Sequence, residues 1–142
     1  MNELKNLINE PVKPYEVGSD ERSSLQKEYD KLASNLIEIP IIINGEKILT
    51  NDIGQCIMPH DHKHTLARYH KADKDLALQA IESSLESWNE WSKTDLDYRI
   101  NIFRKAATLL AGKWRDTINA ATMLNQSKNA FQAEIDAACE LI

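Results

Sequence analysis

The sequence predicts a mainly α-helical chain interrupted by a β-hairpin and a few short strands. Apolar residues recur every three or four positions over about residues 20–36 and again from Ala72 to the end, the period of a helix with one buried face. Between them lies a β-branched run split by Asn44-Gly45, the strongest short signal for a hairpin, because a type I′ turn needs positive φ at both central positions. The length, 142 residues, and a composition of 42% hydrophobic and 27% charged residues suit one folded domain rather than a disordered chain.

The elements follow in order. Asn9-Glu10-Pro11-Val12-Lys13-Pro14 cannot be helical across its prolines and reads as an extended arm. Ser19 followed by Asp20 and Glu21 starts a helix, a hydroxyl cap and then acids in the positive first turn. Leu25, Tyr29, Leu32 and Leu36 form its apolar stripe. Ile39–Ile43 and Glu46–Thr50 are the hairpin strands, with Pro40 at a strand start or an edge. Gln55–Met58 and Thr65–His70 are two further short strands around a His-rich turn. Asp73 caps a helix carrying Leu76, Ile81, Leu85, Trp88 and Trp91. Thr94-Asp95-Leu96-Asp97 resembles a capping box with Asp in place of Glu, opening a helix through Ile100, Phe103, Ala107 and Leu110. Gly112 marks a stop or kink before a helix carrying Trp114, Ile118, Ala121 and Leu124. After a polar turn at Asn125–Lys128, Phe131, Ile135, Ala138, Cys139 and Ile142 make a last amphipathic stripe. That stripe is still running at Ile142 without a Gly, Asn or basic residue to end it, the pattern expected of part of a longer protein.

Charge and composition exclude several classes. A net charge of −5 with no basic stripe argues against nucleic-acid binding, which needs clustered Lys and Arg. No apolar run approaches the roughly 20 residues of a bilayer crossing, so no membrane partner is expected. Met1–Ile8 lack the basic flank and apolar stretch of a secretory signal, and Cys56 and Cys139 lack the spacing of a disulfide scaffold or a zinc site. A reducing interior compartment, the cytoplasm, fits best.

Few residues offer chemistry. His60, His62 and His64 alternate and could present imidazoles to a metal, but Asp61 and Lys63 interleave them and a solvated loop is the expectation, with no metal site. Trp88, Trp91 and Trp114 could stack on a ligand, yet their spacing with Ile81 and Leu85 places them in the core. Asp136 and Glu140, four apart, would share one helical face as an acid/base or cation-recognition pair or as a plain acidic surface. No phosphate-binding glycine motif and no nucleophile elbow occurs, so no self-contained active site can be read.

The order of elements nevertheless resembles a known family. Ile43-Asn44-Gly45-Glu46, Ala72-Asp73 opening a helix with Ala80-Ile81 and Trp88, Arg99, Phe103-Arg104-Lys105-Ala106-Ala107, and Gln132-Ala133-Glu134-Ile135-Asp136-Ala137-Ala138 are similar to the amino-terminal part of the aldehyde dehydrogenase superfamily. Asn9–Val12, Gly18-Ser19, Glu21-Arg22, Leu25–Lys27 and Gln132–Ile142 most resemble the branch that acts on L-glutamate γ-semialdehyde in proline catabolism.

The resemblance implies an α/β fold overall, with residues 1–18 as the arm and 19–142 as the first part of the NAD-binding domain. It implies oxidation of the semialdehyde, the open form of 1-pyrroline-5-carboxylate, to L-glutamate. A thiolate attacks the aldehyde, hydride passes to NAD+, and activated water releases the thioester. The nucleophilic Cys, the general-base Glu and the NAD contacts would belong to later segments, so no catalytic or cofactor-binding residue is expected here. Glu140, in the matching Ala-x-Glu-Leu-Ile stretch, would lie near the aldehyde access tunnel. Ser127-Lys128-Asn129 departs from the Gly-Lys-Thr-like turn usual at that place. The partners implied are a small-molecule substrate and, at full length, further copies of the enzyme; a eukaryotic source would shift the compartment to the mitochondrial matrix. The alternative is a non-catalytic helical interaction module derived from the same fold.

Overall fold

The structure, a computed structural model, describes residues 9–142; the first eight residues of the expected arm lie outside the described range. From Asn9 to Glu16 the chain has no regular structure, as Pro11 and Pro14 dictate. Helix α1 (Asp20–Ser34) then starts at Ser19, whose hydroxyl accepts from the Arg22 N–H. It ends before Leu36, which is exposed rather than part of the buried stripe.

The strand region is richer than the sequence pattern indicated. Pro40 has no N–H to donate, and the chain changes sheets there. Strand β1 (Ile37–Ile39) precedes it, and β2 (Ile41–Ile43) follows and pairs antiparallel with β3 (Glu46–Ile48). The turn between them has Asn44 at φ 51° and Gly45 at φ 81°, as the Asn-Gly pair requires. Strands β4 (Ile53–Met58) and β5 (Asp61–His70) are longer than expected and form an antiparallel pair, and β1 adds to β5 in parallel, giving the order β1-β5-β4. Gly54 is required by close approach: a Cβ there would stand 2.1 Å from the Tyr69 ring on the neighbouring strand.

Helices α2 (Lys74–Trp91), α3 (Leu96–Ala111), α4 (Arg115–Gln126) and α5 (Ala130–Ala133) follow, and α5 runs directly into a π-helix (Glu134–Cys139). Asp73 caps α2 through the Leu76 N–H. The expected capping box at α3 does not form. Asp95 is its N-cap without a side-chain bond, and Thr94 instead donates to the Trp91 carbonyl, closing the preceding turn. Asn129 and Gln132 make a reciprocal capping box at α5.

The core lies between α1, α4 and the three-stranded sheet. Tyr15, Leu25 and Ala120 form one buried cluster, and Met58, Leu66 and Leu124 form a second; Tyr29 and Leu32 of α1 pack against both. The expected burial of the tryptophans does not occur at Trp88 and Trp114, and Trp91 is half-buried. Neither α2 nor α3 contains a buried residue; Trp88 is 60% exposed, Phe103 69% exposed and Trp114 45% exposed. A helical stripe shows which face is apolar, but burial also needs a partner surface; among the described residues α2 touches β2 and α3 touches α4 and the π-helix, and these contacts leave most of both helices exposed. The last stripe is also re-drawn: Ala133, Glu134, Ala137 and Ala138 are buried, whereas Phe131 and Leu141 are exposed. Exposed apolar surface is thus concentrated on α2 and α3 more than on the final helix. Among the described residues, no helix is long and apolar enough to cross a membrane.

Candidate functional site

A buried charge cluster lies beneath the segment that carries Glu140. Arg115 opens α4 and Asn119 follows one turn later, so both side chains leave the same face of the helix. Glu134 begins the π-helix, which packs against that face through small residues. Arg115 is 2% exposed, and Glu134 and Asn119 are fully buried. The Arg115 Nε lies 3.2 and 3.3 Å from the two Glu134 carboxylate oxygens, and its Nη2 donates to Oε1 as well. Its Nη1 pairs with Glu10, and Nη2 also donates to the Pro11 carbonyl at 2.8 Å. The arm completes the cage around Glu134: the Lys13 N–H donates at 2.8 Å and the Tyr15 hydroxyl at 2.7 Å. Asn119 Nδ2 donates to both Glu134 Oε2 at 2.7 Å and Tyr15 Oη at 3.0 Å.

These contacts set the charge states. Burial acts most strongly on Glu134 and raises its pKa, but Arg115, the Lys13 N–H, Tyr15 and Asn119 together outweigh it and hold the carboxyl at about 2. Burial disfavours the charged Arg115, and its carboxylate partners Glu134 and Glu10 overcome that effect, so it stays cationic. The Tyr15 phenol is pushed up, first by burial and then by its bond to the Glu134 carboxylate. Burial and the Glu134 charge also raise the Cys139 thiol, the opposite of what a nucleophile needs.

The residues singled out in the sequence are dispersed. Glu140 is exposed at the end of the π-helix, and its N–H bonds to the Ala137 carbonyl. Asp136 does not pair with it across an α-helical face, because the turn between them is π and not α; Asp136 instead meets Lys128 at 2.7 Å. His60 bonds to the Ser127 hydroxyl at 2.9 Å, while His64 reaches the Ala33 carbonyl at 2.8 Å, so the imidazoles diverge. Among the described residues, no group of three His, Cys, Asp or Glu side chains could hold a metal. Both cysteines are free and half-buried. Two adjoining clefts, about 330 and 400 Å³, run between α1 and the α4–α5 turn, and Glu140 lines neither. Gly18, Gly45, Gly54 and Gly112 lie before α1, in the hairpin, within β4 and after α3, so none of them stands in a strand-to-helix turn.

The sequence pattern did not single out the Glu134 cluster as a site. Its only signal is an acid on the same face as Ala133, Ala137 and Ala138, where an apolar side chain would be expected.

Comparison with known proteins decides the family. A sequence profile described as the aldehyde dehydrogenase family matches residues 50–141, well over half the chain. The chain belongs to the aldehyde dehydrogenase family. Its similarity extends to the arm and α1: it is 44% identical over 136 residues, 95% of this chain, to "Delta-1-pyrroline-5-carboxylate dehydrogenase" of Agaricus bisporus. It is 42% identical over 96% of its length to the mitochondrial enzyme of that name from Homo sapiens. Among solved structures, the Mycobacterium tuberculosis Delta-pyrroline-5-carboxylate dehydrogenase superposes on 94% of this chain with a TM-score of 0.91 at 39% identity. The same bacterial enzyme bound with NAD covers 95% at a TM-score of 0.92. The chain spans about a quarter of the length of each of these relatives. The family places this helical chain with short strands within a larger α/β fold.

Proposed function

We propose that this chain is the amino-terminal part of an NAD-dependent dehydrogenase that oxidises L-glutamate γ-semialdehyde, formed from 1-pyrroline-5-carboxylate, to L-glutamate in proline catabolism. The observation that carries this reading is agreement along nearly the whole chain, arm included, with one branch of the family at 39–44% identity. The aldehyde carbon loses two electrons and gains an oxygen from water, and NAD+ is the acceptor. NAD, the nucleophilic thiol and the general base are supplied by the remainder of the enzyme. This chain contributes a scaffold of α1, α4 and the small sheet, on which the Glu140 carboxylate faces the aldehyde's approach. A carboxylate there suits the ammonium group of a γ-semialdehyde amino acid. The active enzyme is an oligomer of identical subunits. It works in the cytoplasm, or in the mitochondrial matrix if the source is eukaryotic, the compartment named for the relatives from Homo sapiens and Dictyostelium discoideum.

The test is NADH formation, followed at 340 nm, by the product of the complete gene with glutamate γ-semialdehyde. Turnover by the complete product and none by residues 1–142 alone is expected. A complete product that leaves NAD+ unreduced with this substrate sinks the proposal.

A further inference from the structure

The π-helix Glu134–Cys139 ends one residue before Glu140, and nothing in its local sequence asks for a wide turn. Its alanines, Glu134 and Ile135 are compatible with an ordinary α-helix, so the extra residue per turn has a tertiary cause. Its first residue is held from outside the segment. Glu134 is completely buried and gripped from α4 by Arg115 and Asn119 and from the arm by Lys13 and Tyr15. Arg115 also binds Glu10 and the Pro11 carbonyl, so arm, α4 and π-helix meet at one guanidinium.

A buried ion pair contributes less to stability than its contacts suggest, and its best-attested use is to fix register. We propose that Glu134, gripped by Arg115, is a positioning residue that locks the π register and so sets the direction of the Glu140 carboxylate; this rests on the reading of Glu140 as a substrate-facing group. Ala137 and Ala138 are buried, so the segment has one packed face and cannot turn freely. After the wide turn, the Glu140 N–H closes tightly on the Ala137 carbonyl. Slipping the segment back by one residue into α register would swing Glu140 by about 100° around the helix axis. Asp136 could not replace it, because its carboxylate is paired with Lys128.

The test is a double-mutant cycle in the complete gene product, with KM and kcat for glutamate γ-semialdehyde measured for E134Q, E140Q and both together. E134Q keeps the side-chain volume and a carbonyl for the Lys13 N–H. Y15F, which removes one donor to Glu134, repeats the cycle if E134Q does not fold. The expected result is a KM raised about tenfold by E140Q and about fivefold by E134Q, with kcat within about twofold, and a double variant no worse than E140Q alone, because coupled positions are not additive. Independent effects that multiply in the double variant, or a KM unchanged by E134Q and Y15F while E140Q raises it, overturn the positioning role. A KM unchanged by E140Q itself removes the reading of Glu140 and the positioning claim with it.

Discussion

Replacing Glu134 with Leu leaves the Arg115 guanidinium buried with Glu10 as its remaining acidic partner and strips the acceptor from the Lys13 N–H, the Tyr15 hydroxyl and the Asn119 amide. Two routes give the magnitude. Removing one partner of a buried pair costs about 3–5 kcal/mol. Independently, a carboxyl held at about 2 instead of its ordinary 4.5 carries about 3 kcal/mol of pH-linked stability. Gln in the same place keeps the shape but loses the charge, and should cost about 2 kcal/mol. Because the folded-state pKa is depressed, this stability is fully present above pH 4.5 and is lost as the pH falls from there to about 2. Urea unfolding of the chain, read by fluorescence of Trp88, Trp91 and Trp114, should therefore separate wild type from Glu134→Gln at pH 7 and bring them together near pH 2. Glu134→Leu within about 0.5 kcal/mol of wild type at pH 7, the range of neutral surface changes, or a Glu134→Gln difference that ignores pH, would refute the reasoning.

Three further outcomes are expected, one from the same cluster and two from elsewhere in the fold. Tyr15 has a raised pKa, so its contribution is complete below pH 10 and is lost as the pH rises beyond it; Tyr15→Phe should flatten the alkaline limb of the stability profile measured by circular dichroism. Gly54→Ala drives a methyl into the Tyr69 ring and should cost about 1–3 kcal/mol, much of it recovered in Gly54→Ala with Tyr69→Ala, as thermal melts would show. Residues 1–142 alone should bind a hydrophobic dye through α2 and α3, and Trp88→Lys with Phe103→Lys should reduce that binding while changing stability by less than about 0.5 kcal/mol.

What the sequence disclosed was local. The Asn44-Gly45 turn, the Ser19 and Asp73 caps and the break at Gly112 are written in neighbouring residues, and each is found where the pattern placed it. The parallel pairing of β1 with β5 joins residues some thirty positions apart, and no local pattern encodes it. The Glu134 cage is more remote still, linking Lys13 and Glu134 across 121 positions. The tryptophans show the complementary limit: spacing gave the apolar face of α2 correctly, but whether that face is covered depends on surfaces outside the helix. For Asp136 and Glu140, the assumption of 3.6 residues per turn failed, because the segment between them belongs to a π-helix that opens on a buried carboxylate, Glu134.

The proposed reaction has a fixed stoichiometry, which can be measured directly. Incubating the complete gene product with isotope-labelled pyrroline-5-carboxylate and NAD+, and counting products by mass spectrometry, should yield one labelled glutamate for each NADH. NADH formed without labelled glutamate, or labelled substrate returned intact, would contradict it.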